Sequence, residues 1–254
     1  MIGLVLTFYV YLAPDQDWRN YAHEEVQKCK EQWWYVLLFV NNVFPWDNPN
    51  KCMSHFWYIA NDMQFFFILP FQILAYKYNR FIGYMLTLII LIAGMISIYF
   101  ISSSHKVAIS LMSSPNYGTY LYILPWTRIS AYQVGVIFGM WYYEYKNRDK
   151  ITKFSNSIGT CAFRYVCDYK SIRYAFYATG LMIYILIAVI NHADGRDITN
   201  YNSFPQLFYN IFNMLARPLF VTGIAMILMG PLTGKGRLLR KLLHNRLFDI
   251  MSRL

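Results

Sequence analysis

Apolar residues in this chain come in runs about as long as a bilayer is thick, and that constrains the fold more than any other feature. Such runs stand at residues 55–76, 81–102, 129–145, 172–191 and 206–232. Each is close to the ~20 residues that a spanning helix needs, allowing for tilt. A soluble core would need amphipathic stripes instead. Only 14% of the residues are charged and 57% are hydrophobic, where a soluble domain carries roughly a quarter charged residues. The sequence therefore predicts an all-α, polytopic transmembrane helix bundle. A shorter run at residues 2–13 reads as the outer end of a helix whose beginning is missing, which brings the count to about six segments. The stretch 33–44 is too short to span, and its Trp and Tyr content suits the interface.

Basic residues test this division. Three alternate connections, at 77–80, 144–173 and 233–254, hold fifteen Lys and Arg, whereas those at 14–54, 103–128 and 192–205 hold seven. By the positive-inside rule the first set, with the C-terminus, is cytoplasmic, and the outer loop 14–54 faces lumen or exterior. The net charge of +10 is thus a matter of topology, and no motif supports nucleic-acid binding. Cys29 and Cys52 fall in the outer loop, on an oxidising side where a pair can persist as a disulfide, while Cys161 and Cys167 should stay reduced. The latter pair lacks CxxC spacing and a nearby His, so no metal site is expected. With no internal repeat and no phosphate-binding loop, residues 1–254 read as one membrane domain.

The polar residues inside the runs are the candidates for function. His55, Tyr58 and Asp62 would share one helical face, with Trp57, Asn61 and Gln64 on the neighbouring one. Such a face cannot look at lipid, and Asp62 needs either a structural partner or a water-filled cavity. Asn210, Asn213 and Arg217 share a face further on, and Arg217 either lines a cavity or pairs structurally. Asp62 and Arg217 are each expected to lie in the outer part of a helix, where they could meet. Gly135 and Gly139, one turn apart, read as a close-packing pair. Arg128 could contact an anionic head group or serve as a topological anchor. No His stands in a triad or HExxH pattern, and only His55 joins an intramembrane polar face as a possible proton carrier.

Several of these residues together carry a family resemblance: Cys29 with Trp33 and Trp34, the pair Asn41 and Asn42, and Cys52 followed by the run from Trp57 to Gln64 and by Pro70. Thr127 and Arg128 with Tyr132, both glycines, Arg217, and the Gly234 and Gly236 turn extend it over most of the chain. On these the chain resembles insect and nematode nose-resistant-to-fluoxetine proteins, within the wider membrane acyltransferase-three superfamily. The resemblance implies transfer of an acyl group, with acyl-coenzyme A as cytosolic co-substrate and no bound cofactor, to a membrane lipid or a small membrane-accessible acceptor. It implies a site in the endoplasmic reticulum or plasma membrane. The superfamily's His on an early helix has no counterpart here, because Met1 aligns after that helix, so the catalytic residue is unknown and the chain reads as the middle of a longer protein. Tyr58, Asn61, Asp62, Gln64, Arg217, His55 and Arg128 are then the expected cavity-lining set. The rival reading is a carrier of lipids or hydrophobic compounds that uses the same cavity without chemistry.

Overall fold

The computed structural model describes residue 11 and residues 15–45, 51–109, 117–147, 158–196 and 204–235. Among these there is no strand. Seven α-helices follow in order: α1 (Gln16–Leu37), α2 (Trp57–Tyr78), α3 (Arg80–Ser104), α4 (Pro125–Lys146), α5 (Ile158–Asp168), α6 (Lys170–Arg196) and α7 (Gln206–Leu232). A 3-10 turn (Ser54–Phe56) leads into α2, and a π-helical segment (Tyr117–Tyr122) precedes α4.

Three helices have both the length and the hydropathy of a membrane crossing: α3, α6 over Lys170–Ala193, and α7. They show apolar side chains outward, as a lipid-facing surface must: Ile89 and Phe100 on α3, Ile185 and Val189 on α6, Leu219 on α7. The chain is thus an α-helical membrane protein, but the expected count of about six is not reached by this measure. The reason is specific. α2 and α4 are 22 residues each, about 33 Å at ~1.5 Å per residue. Their hydropathy is lowered by Asn61, Asp62, Gln64 and Gln72 in one and by Arg128, Gln133 and Glu144 in the other. The opening run 2–13 lies outside the described residues apart from Tyr11, as does the tail beyond Lys235.

The connections hold more helix than expected. The loop 14–54 contains α1, whose Ala22, Val26 and Cys29 form one buried stripe at helical spacing. The basic connection 144–173 contains α5. Phe163 and Val166 of α5 are buried against Phe138, Trp141 and Tyr145 of α4 and Met229 of α7. Arg173 Nη1 donates to Val166 O near the α5 C-terminus (3.2 Å), where a cation also suits the helix dipole.

α3 packs against α2, α4 and α7, and α6 packs along α7. A single residue separates α2 from α3: Asn79 is extended (φ −151°, ψ 123°), and its side chain accepts from Phe81 N at 2.9 Å, capping α3. Small residues set the closest approaches. A Cβ on Gly94 of α3 would lie 2.7 Å from Ile129 Cγ2 of α4, and one on Gly180 of α6 would lie 2.6 Å from Gly223 O of α7.

Gly135 and Gly139, expected to pack against another helix, do the opposite: a Cβ at either would meet nothing within 4 Å. Their missing side chains open space. Gly180→Ala should therefore cost about 1–3 kcal/mol through overpacking, while Gly135→Ala should fall within about 0.5 kcal/mol of the parent protein. Melting in detergent checks this, and equal shifts for the two variants would contradict the packing described.

Candidate functional site

The space beside the two glycines belongs to a groove of about 1210 Å³ between α2 and α4. One stripe of α2, Tyr58, Asp62, Phe65, Leu69, Ile73 and Tyr76, faces a stripe of α4, Arg128, Tyr132, Gly135, Gly139 and Tyr143, and Val221 of α7 contributes to the lining. Both stripes follow the i, i+3/i+4 spacing of one helix face. The chemistry changes along the groove. At one end stand Tyr58, Asn61, Asp62, Arg128 and Tyr132; the middle is Phe65, Leu69, Ile73, Val136 and Met140; at the other end stand Tyr76, Lys77, Asn79, Arg80 and Tyr143.

Beneath the far end, Glu144 is buried and accepts from the Tyr76 hydroxyl at 2.8 Å. Behind the middle, buried Gln72 donates through Nε2 to Gln133 Oε1 at 2.7 Å, tying α2 to α4. Such bonds between membrane helices contribute roughly 1 kcal/mol each.

Of the seven residues expected to line a cavity, Tyr58, Asn61, Asp62 and Arg128 lie on this groove; His55, Gln64 and Arg217 do not. His55 sits before α2 in the 3-10 turn, exposed and packed edge-on against Phe56. Gln64 donates to Phe39 O (2.7 Å) and exchanges amide hydrogen bonds with Asn42, which also donates to Asn61 Oδ1. Lys51 adds an ammonium bond to Asn42 O (3.1 Å), and burial pushes that ammonium below the usual lysine range. This network fastens the turn after α1 to the start of α2.

Arg217 does not meet Asp62. Its Nη1 donates to Thr127 O (2.9 Å) and its Nη2 to Leu121 O (2.8 Å). The cause is the break ahead of α4. Pro125 at the first helical position has no N–H, so the carbonyls leaving the π-helical segment need partners from elsewhere. Four in a row receive side-chain bonds: Leu121 O from Thr127 Oγ1 and Arg217, Tyr122 O from Arg128 Nε, Ile123 O from Asn61 Nδ2, and Leu124 O from Thr127 Oγ1. The rest of the α7 polar face does similar work. Asn213 Nδ2 reaches Ser102 Oγ (3.1 Å) and Ala108 O (3.4 Å), and Gln206 bonds Ser102 O and Asn210.

Asp62, exposed to the groove, forms no ion pair among the described residues. Nor do three His, Cys, Asp or Glu side chains converge among them as a metal site would require. The sequence reading missed the Tyr76, Lys77 and Arg80 end, and also Tyr132 and Tyr143. The helical stripes were a signal that could have found them.

An α-helical membrane protein with a groove that is polar at both ends and apolar between them is the class this geometry defines. The family model described as "Acyltransferase domain", the acyltransferase-three family, matches residues 2–250, and the chain belongs to that family. It is also similar to nose resistant to fluoxetine protein 6 of Caenorhabditis elegans, with 34% identity over 80 residues, 31% of this chain and 9% of that protein. The match thus spans only about a tenth of that relative's length. No solved structure matches the chain.

Proposed function

We propose that the groove between α2 and α4 holds the acyl group during transfer from acyl-coenzyme A to a lipid or other membrane-accessible acceptor. The observation that carries this is the chemical gradient along the groove: an apolar middle suits an acyl chain, and two polar ends suit a donor and an acceptor. Lys77 and Arg80 give the α2–α3 end the charge to attract a phosphate-bearing donor. Loops on that side are the basic ones, which supports a cytosolic location for it and for the C-terminus. The Cys29–Cys52 disulfide supports an oxidising compartment for the opposite side, in the endoplasmic reticulum or at the plasma membrane. Residues 1–254 then act as one membrane domain.

Gly139→Leu places a large apolar side chain in the groove, at a position where a Cβ meets nothing within 4 Å. In microsomes given radiolabelled palmitoyl-coenzyme A, it should lower transfer to lipid at least about tenfold, the scale of a lost positioning contact, with melting unchanged. Binding of the label with no ester product in the parent protein would overturn transfer and point to carriage instead.

The orientation has its own test. In a background lacking Cys161 and Cys167, Lys77→Cys and Lys51→Cys should react with an impermeant thiol reagent from opposite sides of the membrane. Labelling of both from one side would reverse the assignment.

A further inference from the structure

Arg128 stands apart from the other polar residues at its end of the groove. Its guanidinium lies over the Trp57 ring (4.4 Å to the centroid) and over the Tyr122 ring (4.5 Å). Its Nε is engaged by Tyr122 O at 2.7 Å. That bond and the two rings fix the plane of the group while leaving its two terminal nitrogens, the edge that reads oxyanions in parallel, without a hydrogen bond among the described residues. Cation–π contact holds the charge in an apolar setting and does not neutralise it.

Arg217 lies next to it, since its Nη2 bonds Leu121 O, the carbonyl adjacent to the one that Arg128 holds. Neither arginine forms an ion pair among the described residues. One carboxylate, Asp62, lines this end, one helical turn along α2 from Tyr58. Two guanidiniums against one carboxylate leave one positive charge. For partly buried guanidiniums such an excess favours an anion that balances it. The first turn of α4, which carries Arg128, adds the positive end of the helix dipole.

We infer that Arg128 is the recognition residue for an oxyanion, a phosphate or carboxylate borne by the molecule that enters the Trp57 end of the groove. This rests on the reading of the groove as an acyl-transfer site and names the acceptor's chemistry within it: an acceptor with an anionic head rather than a neutral alcohol. Arg128 binds and orients this group and takes no part in bond making. Trp57 and Tyr122 hold the guanidinium edge toward the groove, and Asp62 opposes binding of a second anion.

The test is equilibrium binding to the full chain in dodecylmaltoside, with dioctanoyl phosphatidate, its neutral counterpart dioctanoylglycerol, and inorganic phosphate as probes. Phosphatidate should bind at least about tenfold more tightly than dioctanoylglycerol, the scale of a charge-assisted bidentate contact. Arg128→Gln should remove that preference while leaving dioctanoylglycerol binding intact, which also shows that the variant is folded. Arg128→Lys should keep part of the preference. Asp62→Asn should strengthen phosphatidate binding severalfold, a gain that no folding defect can mimic. Competition by millimolar inorganic phosphate would assign recognition to the anion itself, and lack of competition would assign it to the anion only as carried by a lipid; both support the site. Equal binding of the two lipids, a preference that survives Arg128→Gln, or weaker binding in Asp62→Asn would overturn it. No acyl donor is present, so an intact preference in a protein that transfers nothing would overturn the proposed reaction alone.

Discussion

Replacing Arg217 with alanine should destabilise the protein by about 3 kcal/mol or more, because two charge-assisted hydrogen bonds to carbonyls are lost at roughly 1.5–3 kcal/mol each. Those carbonyls, Leu121 O and Thr127 O, belong to the break between the π-helical segment and α4. Arg217→Lys should recover part of the loss, since one ammonium can reach one carbonyl but cannot span both with a planar fork. Asp62→Ala should be mild by comparison, for Asp62 is exposed to the groove. The exchange Asp62→Arg with Arg217→Asp should be no better than the double alanine variant, as a carboxylate at 217 would face carbonyl oxygens. The parent, the two single alanine variants and the double alanine form a thermodynamic cycle, read with the exchange variant by folded yield and melting in detergent. Recovery in the exchange variant would mean that the two charges are coupled after all.

Loss of the Cys29–Cys52 disulfide should have an effect of similar size. The bond joins residues 23 apart in sequence, and a closed loop of that length contributes about 3 kcal/mol in the chain-entropy model. Both cysteines are buried in a cluster with Val36, Met53 and, at its edge, Phe56. Serine at these positions would add the cost of a buried hydroxyl. Beside the disulfide, Cys52 N donates to Gln32 Oε1 (3.1 Å), and the two links tie α1 to the entry of α2. Reductant should lower the melting temperature, the double serine variant should lower it further, and both should speed tryptic cleavage at Lys28 and Lys30. Unchanged cleavage would show that α1 is held by other contacts.

These two cases mark how far the site was legible in the sequence. Intramembrane polarity at Asn61, Gln64, Asn213 and Arg217 could be seen, because a polar group within an apolar run is costly wherever the run goes. The partners could not be seen. A side chain that bonds a side chain leaves two polar residues to notice, whereas one that bonds a backbone carbonyl leaves a single one, and every residue carries a carbonyl. The charged pair expected between Asp62 and Arg217 failed for this reason: the partners of Arg217 are carbonyls of Leu121 and Thr127, residues that say nothing of their role.

Glycines show a similar ambiguity. Gly135 and Gly139 carry the same spacing as a close-packing motif, and the same absence of side chains permits either a helix to approach or a groove to open. The neighbour decides, and here α2 presents Asp62, Phe65, Leu69 and Ile73 across the space. At Gly94, Gly180 and Gly223, by contrast, another helix does come close.

By itself, then, the sequence determined a membrane-embedded α-helical chain, through the length of its apolar runs, and its Cys29–Cys52 disulfide, through the placement of four cysteines. It also held the groove's two walls as helical stripes on α2 and α4. Only the tertiary structure decided which polar residues hold the backbone together and which face the groove. Periodicity assigns a residue to a face of its own helix, but the neighbour that covers that face is set by packing across distant parts of the chain.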